Sequence, residues 1–242
     1  MRTCAFCPHS AKMSAEDVLP KWMHALFTGN GVMRFETAQK QWAVATPHID
    51  WRATVVCENC NNTWMSRIEN EHGKPVLTPL IEGDRVVPID QSAARSIAIW
   101  AFKTAVVIDH AHRLFGQPYF SSEERTAFRK TLTIPNDSVI WVGMSHGHRY
   151  RIKSETGQNN GHIAPDQPLT MYVFTCAIGC LVIQFGHART SRPVIFEPEP
   201  GFEYVMAPIW PYLHPNLTWP WPDKLTENSQ FAELHNLWKT IH

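Results

Sequence analysis

The sequence of 242 residues predicts an α+β fold made of a small N-terminal module, residues 1–82, and a helical and antiparallel-β body, residues 83–242. Three observations support this prediction. The N-terminal module contains two Cys-x-x-Cys pairs. The middle of the chain has apolar residues at helical spacing, and the C-terminal half has short apolar runs separated by turn residues, as β-strands do. No repeat or low-complexity tract interrupts the body, so we expect it to fold as one unit.

The N-terminal module is expected to contain short strands followed by one helix. Ser14 stands at a possible turn, and Pro20 would stop a helix begun there. Apolar residues at spacings of three and four predict a helix over residues 58–72, ended by Gly73 and Pro75. Alternating side chains predict strands at residues 32–37, 41–45 and 53–57.

The body is expected to contain helices first and strands afterwards. Ser92 caps a helix with a broad apolar face, and a more polar helix runs from Ser122 to about Leu132. A final amphipathic helix begins at Thr226. Strands are predicted at residues 138–144, 150–153, 171–176, 181–185 and 202–206, with a buried hairpin joining 171–176 to 181–185.

Composition excludes several classes of protein. The 22 basic and 22 acidic side chains argue against a basic nucleic-acid coat. The longest apolar stretch, residues 97–108, is interrupted by Lys103 and is shorter than the roughly 20 residues that span a bilayer. With no signal-peptide pattern, we expect a cytoplasmic protein with no membrane partner. Residues 83–153 carry 10 basic and 6 acidic side chains, so an anionic partner would bind there most easily.

The cysteines predict a metal site. Each Cys-x-x-Cys pair can present two thiolates to one tetrahedral ion, which favours structural Zn²⁺ over two disulfides or a redox pair. Cys176 and Cys180 lie in an apolar run and are expected in the core, with a second metal site together with His187 as the alternative. The predicted zinc ligands are Cys4, Cys7, Cys57 and Cys60.

Three motifs stand in order in the first 64 residues: Cys4-Ala5-Phe6-Cys7, Glu16-Asp17-Val18-Leu19-Pro20-Lys21-Trp22 and Cys57-Glu58-Asn59-Cys60-Asn61-Asn62-Thr63-Trp64. Together they resemble the HNH, or ββα-metal, nuclease superfamily. The resemblance is closest to bacterial HNH-type proteins of mostly unknown function, whose pattern is Cys-x-x-Cys, Glu-His-Val-x-Pro-x-Trp and Cys-x-x-Cys-Asn-Asn-x-Trp. It covers residues 4–72 and implies a zinc-stapled ββα-metal module.

The resemblance also implies an active site. Glu16 and Asn61 would hold a catalytic divalent cation, Mg²⁺ or Mn²⁺. Asp17 stands where the family has the histidine that deprotonates the attacking water. Aspartate is a weaker base than imidazole near neutral pH, although its hard oxygen atoms suit Mg²⁺. His9 and His24 are alternative bases near the motif.

Two functions follow from this departure. The first is an HNH-like metal-dependent endonuclease that hydrolyses phosphodiester bonds in DNA, impaired by the change from His to Asp at the base position. The alternative is a catalytically inactive zinc-binding module that binds nucleic acid or a protein partner. Lys21 and Arg67 are weaker candidates for phosphate contact. The Trp- and Pro-rich segment, residues 209–222, is either a strap over the sheet or an aromatic platform for bases or a Pro-rich peptide.

Overall fold

The computed structural model describes residues 3–7, 12–26, 31–37, 40–46, 51–112, 117–145, 150–159, 169–189, 195–197, 205–212, 217–220, 224–225 and 239–241. Within these ranges the chain combines helices with mainly antiparallel sheets, so the predicted α+β class is confirmed. No helix in the described part of the chain is long and apolar enough to cross a bilayer.

The N-terminal module is built on one pair of antiparallel strands. Strand β1 (Met13–Asp17) pairs with β4 (Arg52–Cys57), with an irregularity between Ser14 and Glu16. The turn predicted at Ser14 is therefore wrong, because pairing with β4 holds this segment extended. Pro20 does not stop a helix but precedes the short helix α1 (Lys21–His24), where its fixed φ and missing N–H are tolerated.

A helical segment follows β4 directly, as predicted, but it runs to residue 82. Its successive parts are α2 (Glu58–Cys60), a π-helical turn (Asn61–Met65), α3 (Ser66–Ile68), a second π-helical turn (Glu69–Gly73) and α4 (Lys74–Glu82). We call it the 58–82 helix.

The prediction that Gly73 and Pro75 end this helix is wrong. Pro75 lies in the first turn of α4, where a proline is accommodated. Gly73 serves close packing instead, because a Cβ atom there would lie 3.0 Å from Trp100 Cδ1. The helix ends at Gly83, whose φ of +65° favours glycine and whose N–H donates to the carbonyl of Pro79.

Two helices of the body flank the large sheet. Helix α5 (Gln91–His112) begins beside Asp90, whose carboxylate accepts the N–H of Ala93 at 2.8 Å, so Asp90 takes the capping role predicted for Ser92. Helix α6 (Ser122–Thr131) starts with a capping box between Ser121 and Glu124, close to the predicted start.

The remaining strands are β2 (Gly31–Thr37), β3 (Lys40–Thr46), β5 (Val87–Ile89), β6 (Ser138–Ser145), β7 (Tyr150–Asn159), β8 (Leu169–Ile178), β9 (Leu181–Arg189), β10 (Ile195–Glu197), β11 (Met206–Trp210), β12 (Leu217–Trp219), β13 (Lys224–Leu225) and β14 (Lys239–Ile241). The large sheet has the order β11-β6-β9-β8-β7-β2-β3, with β13 alongside β6. The predicted strands at 32–37, 41–45, 53–57, 138–144, 150–153, 171–176 and 181–185 are confirmed, several of them longer than expected.

Contacts join the two predicted parts of the chain. Strand β2 pairs in parallel with β7, so the hairpin of β2 and β3 extends the sheet of the body. Phe6 is buried with its ring 5.0 Å from Trp64 and 6.3 Å from Phe128 of α6. The division at residue 82 stays a prediction, and the aromatic core extends across it.

Part of the Trp- and Pro-rich segment packs against the body. β11 pairs with β6, β12 pairs with β5, and Trp219 is fully buried. This packing agrees with the strap interpretation for the described residues of the segment. Most of the predicted strand at 202–206 and the helix predicted from Thr226 lie outside the described residues.

Candidate metal centre and acidic site

The four predicted zinc ligands converge. The sulfur atoms of Cys4, Cys7, Cys57 and Cys60 all lie within 4.8 Å of one another, and all four residues are buried. Cys7 Sγ and Cys57 Sγ are 3.7 Å apart. Four sulfurs arranged tetrahedrally at about 2.3 Å from one Zn²⁺ would lie about 3.8 Å apart, so the four-cysteine cluster fits the ion.

Backbone N–H groups orient the thiolates. The N–H of Cys57 donates to Cys4 Sγ at 3.3 Å, and the N–H of Cys60 donates to Cys57 Sγ at 3.5 Å. These donors arise where β4 ends and the 58–82 helix begins. Burial opposes ionisation of Cys57, but the hydrogen bonds from Cys60, Cys7 and Cys4 outweigh it and lower the pKa of its thiol. Burial raises the pKa of the Cys60 thiol, so the convergence of the four sulfur atoms, and not a common acidity, suits the cluster to a cation.

The loop between Cys4 and Cys7 is anchored from both parts of the chain. The N–H of Ala5 donates to the carbonyl of Val55 on β4 at 2.8 Å. The carbonyl of Ala5 accepts a hydrogen bond from Arg125 of α6. Arg125 also contacts His110 Nε2 at 3.0 Å. The position of the first Cys-x-x-Cys pair therefore depends on the body.

Glu16, the first predicted ligand of a catalytic cation, is buried with 7% exposure and faces α5. Its Oε1 atom lies 3.5 Å from the ammonium of Lys103, which is fully buried. Burial raises the pKa of the Glu16 carboxyl, and the attraction of Lys103 offsets only part of that effect. The structure therefore places a fixed positive charge beside this carboxylate.

A second carboxylate shares that ammonium. Lys103 Nζ lies 2.6 Å from Glu69 Oε1, and the other carboxylate oxygen of Glu69 accepts the indole N–H groups of Trp22 at 3.0 Å and Trp100 at 3.3 Å. Burial alone would lower the pKa of Lys103, but Glu69 and Glu16 outweigh burial and raise it. The lysine is charged, and we call Glu16, Lys103 and Glu69 the buried ion triad.

Asp17 and Asn61 have separate partners. Asp17 Oδ1 accepts a hydrogen bond from Arg52 Nε at 3.1 Å, on the strand directly opposite. The side-chain amide of Asn61 donates to Ser14 Oγ at 2.9 Å. Ser14 and Glu16 flank the exposed Ala15, so both face the helices. The structure thus brings Asn61 against the strand that carries Glu16, while Asp17 points to Arg52.

In the described part of the chain, the four cysteines are the only group of three or more His, Cys, Asp or Glu residues that lies close enough to share an ion. The alternative metal site of Cys176, Cys180 and His187 does not form among the described residues. Cys176 pairs with Ile183 on β9, whereas His187 pairs with Tyr172 on β8, so Cys176 and His187 lie at different positions along the hairpin. Cys176 lies in the core as predicted. The ligand roles of Glu16 and Asn61 and the role of Asp17 stay predictions.

The other predicted contacts are distributed around this site. His24, an alternative base, lies at the end of α1 with its Nε2 atom buried, and His9 lies outside the described residues. Lys21 and Arg67 are exposed. His72, for which the sequence predicts no ligand role, lies with its Nδ1 atom 3.1 Å from Ser96 Oγ on α5.

Sequence reasoning missed Lys103 and Glu69. Lys103 is the single charged residue in the apolar stretch at 97–108, and its interruption of that stretch was the available signal. A lysine on the apolar face of a helix requires a buried anion, because an unpaired buried charge is too costly. Nothing in the sequence identifies Glu69 and Glu16 as those anions, since they lie 34 and 87 residues away.

Comparison of the chain with protein-family models, with curated proteins and with solved structures finds no match. The chain's own motifs and geometry are therefore the basis from which its function is inferred.

Proposed function

We propose that this protein is an HNH-like, metal-dependent endonuclease that hydrolyses phosphodiester bonds in DNA and is stabilised by a structural Zn²⁺. One observation carries the proposal. The four-cysteine cluster lies where β4 meets the 58–82 helix, and Asn61 in the first turns of that helix contacts Ser14, two residues before Glu16. This strand–strand–helix arrangement supports the proposal, which itself rests on the resemblance to ββα-metal nucleases.

The donor atoms suit a hard divalent cation. Glu16 offers carboxylate oxygens, and Asn61 offers its amide oxygen because its amide nitrogen already donates to Ser14. A bound Mg²⁺ or Mn²⁺ would polarise the scissile phosphate and lower the pKa of a water molecule. Asp17 would orient that water, and Arg52 beside it would determine which carboxylate oxygen faces the substrate. Asp17, at the base position, would accept a proton from the water as the water oxygen forms a bond to phosphorus, and the leaving oxygen would take a proton from solvent as its bond to phosphorus breaks.

The buried ion triad favours the second candidate, a catalytically inactive zinc-binding module. An ammonium 3.5 Å from Glu16 reduces the negative charge available to attract a divalent cation. The shorter contact from Lys103 to Glu69, 2.6 Å, is the reason we retain the nuclease proposal. Glu69 can neutralise the lysine while Glu16 turns towards a metal.

The decisive experiment is cleavage of supercoiled plasmid DNA by the zinc-loaded full chain with added Mg²⁺ or Mn²⁺. We expect nicking by the wild type and its loss in Glu16→Gln and in Asn61→Ala, with zinc content and thermal unfolding unchanged. Glu82→Gln is the matched control, because Glu82 is an exposed carboxylate at the other end of the same helix. This variant should nick DNA as the wild type does.

Two results would contradict the proposal. If the wild type is inert with both metals and with duplex and single-stranded DNA, the inactive binding module is the better description. If Glu16→Gln cleaves normally, Glu16 belongs to the protein's internal structure and not to a catalytic centre.

A further inference from the structure

A groove lies between the 58–82 helix and the end of α6. Its volume is about 260 Å³, and its lining includes Arg67, Glu71 and His72 from the first helix and Arg129 and Lys130 from the second. This volume is below the roughly 300 Å³ at which pockets for small organic ligands begin. The groove is therefore better suited to a surface contact than to enclosing a metabolite.

The groove is positively charged. Among the described residues, Arg67, Arg129 and Lys130 form no ion pair and no side-chain hydrogen bond, whereas Lys12 pairs with Glu58 on the surface. Glu71 is the single acidic side chain in the lining. Burial lowers the pKa of His72, so it adds no charge near neutral pH.

Helix stabilisation explains only part of this arrangement. Arg129 and Lys130 lie in the last turn of α6, where cations interact favourably with the helix dipole. Arg67 belongs to the opposite wall, in the middle of another helix, and has no such role. Arg95, exposed on α5, acts electrostatically on His72, which extends the positive potential beyond the groove.

The groove is also connected to the candidate site. Trp64 lines it, and Trp64 lies one helical turn after Asn61 and packs on Phe6 of the first Cys-x-x-Cys loop. Arg67 follows Asn61 by six residues, which is roughly 9 Å along a helix axis. Six residues also turn a helix by about 600°, which leaves Arg67 about 120° around the axis from Asn61. A polymer with regularly spaced negative charges would reach both places by passing around the helix, and guanidinium groups bind phosphates through paired hydrogen bonds.

We propose that the cationic groove formed by Arg67, Arg129 and Lys130 binds the phosphodiester backbone of a nucleic acid. The inference rests on the proposed function, because it names the surface that holds the substrate beside Glu16 and Asn61. It does not require that the bound strand be cut.

The test is binding of the zinc-loaded full chain to a fluorescent DNA duplex, measured by anisotropy over a range of salt concentrations without Mg²⁺ or Mn²⁺. In the triple variant Arg67→Gln, Arg129→Gln, Lys130→Gln, we expect at least about tenfold weaker binding at low salt and a slope of log affinity against log salt reduced by about 2.7. The control removes three exposed cations outside the groove, Lys12→Gln, Lys74→Gln and Arg85→Gln. This control variant should change the affinity for DNA and the salt slope much less than the groove variant does.

A variant with the opposite expected sign excludes misfolding as the explanation. Glu71→Gln removes the acidic group of the groove and should tighten binding. Lys130→Gln alone, at an exposed position, should reduce the salt slope by about 0.9. Single-stranded DNA and RNA of matched length show which backbone the groove prefers, and either preference supports the inference.

Three outcomes overturn it: no binding of the wild type to any of these nucleic acids, equal losses in the groove and control variants, or equally tight groove-dependent binding of a poly-glutamate peptide. The nuclease proposal and the groove proposal can fail independently, and the experiments distinguish the two cases. Groove-dependent binding without cleavage in added Mg²⁺ or Mn²⁺ contradicts the nuclease proposal alone. Cleavage that the triple variant leaves unchanged, with unchanged binding, contradicts the groove alone.

Discussion

The four-cysteine cluster and the acidic site of Glu16, Asp17 and Asn61 differ in how their side chains are satisfied. The cysteine sulfurs meet within 4.8 Å of one another. The acidic-site residues instead contact Lys103, Arg52 and Ser14 respectively. The two groups meet at the start of the 58–82 helix, where Cys60 and Asn61 are neighbours, so they share part of their scaffold and still differ.

Chemistry explains it. A buried thiolate has few partners other than a soft metal ion, so four cysteines in one place indicate that ion strongly. A carboxylate or an amide is satisfied by any nearby ammonium, guanidinium or hydroxyl group. Convergence of cysteines therefore marks a candidate metal centre from geometry alone, whereas acidic residues need a functional test.

The largest effect is expected from the cysteine cluster. Cys60→Ser should lose the zinc and unfold the N-terminal module, because structural Zn²⁺ contributes about 10–16 kcal/mol in small zinc domains, comparable to the whole stability of an ordinary domain. Phe6 would then leave the aromatic core. Metal analysis and thermal unfolding of the full chain measure both consequences.

Cys180→Ser is the control for this prediction, since Cys180 is a partly exposed cysteine outside the cluster. It should retain one zinc per chain. A wild-type protein without zinc, or a Cys60→Ser variant that unfolds at the wild-type temperature, would contradict the assignment.

The next effect concerns the buried ion triad. Lys103→Met leaves two buried carboxylates without their cation and should cost about 3–5 kcal/mol of unfolding free energy. Combining it with Glu16→Gln and Glu69→Gln should restore most of that loss. Urea denaturation of these variants is the measurement, and a Lys103→Met variant as stable as the wild type would show that the triad is unimportant for folding.

The two carboxylates of the triad should differ in how much each contributes to the free energy of unfolding. Glu69→Gln removes the 2.6 Å contact to Lys103 and weakens the acceptor for two indoles, so we expect a loss of about 1.5–3 kcal/mol. Glu16→Gln should be at least as stable as the wild type near neutral pH. If instead Glu16→Gln is the more destabilising change, Glu16 is primarily structural and the nuclease proposal loses its main ligand.

The pH dependence of Glu16 has a definite sign. Its pKa in the folded protein is raised above the ordinary 4.5, so the folded state binds more protons than the unfolded state above that pH. This residue's contribution to stability is therefore lost as the pH rises through the raised pKa. Burial also raises the pKa of Asp109 to about 6, so stability should fall in both proteins across that range, and denaturation should show a larger fall in the wild type than in Glu16→Gln.

The smallest effect on stability is expected at Asp17. Its ion pair with Arg52 is partly exposed, so Asp17→His should change the unfolding free energy by less than about 1 kcal/mol. Activity is the informative measurement. If Asp17 replaces a general base, the imidazole should raise Mg²⁺- or Mn²⁺-dependent nicking.

A fall in nicking would show instead that Asp17 ligates the metal, because a hard carboxylate would have been replaced by a softer nitrogen donor. Arg52→Gln is the matched control, since it removes the partner and leaves Asp17 in place. It should leave stability within about 1 kcal/mol of the wild type.

Much of the secondary structure is determined by residues that are close together in the sequence, and for that reason the sequence predicts it. The strands at 138–144 and 181–185 and the helix beginning at Glu58 follow from apolar periodicity over a few residues. The predicted end of that helix is wrong because Gly73 allows the close approach of Trp100 and does not terminate the helix. That approach is a contact between distant parts of the chain, which local patterns do not reveal. The same holds for Ser14, which is held extended by pairing with β4.

The sequence by itself identified the four cysteines as candidate metal ligands, because the short spacing within each Cys-x-x-Cys pair directs both sulfurs to one point wherever the pairs meet. Only the tertiary structure decided the partners of Glu16, Asp17 and Asn61. Lys103 reaches Glu16 across 87 residues of sequence. The physical reason is that opposite charges and hydrogen-bonding groups pair with whatever the packed helices and strands bring within about 4 Å, and no spacing rule in the sequence encodes that neighbour.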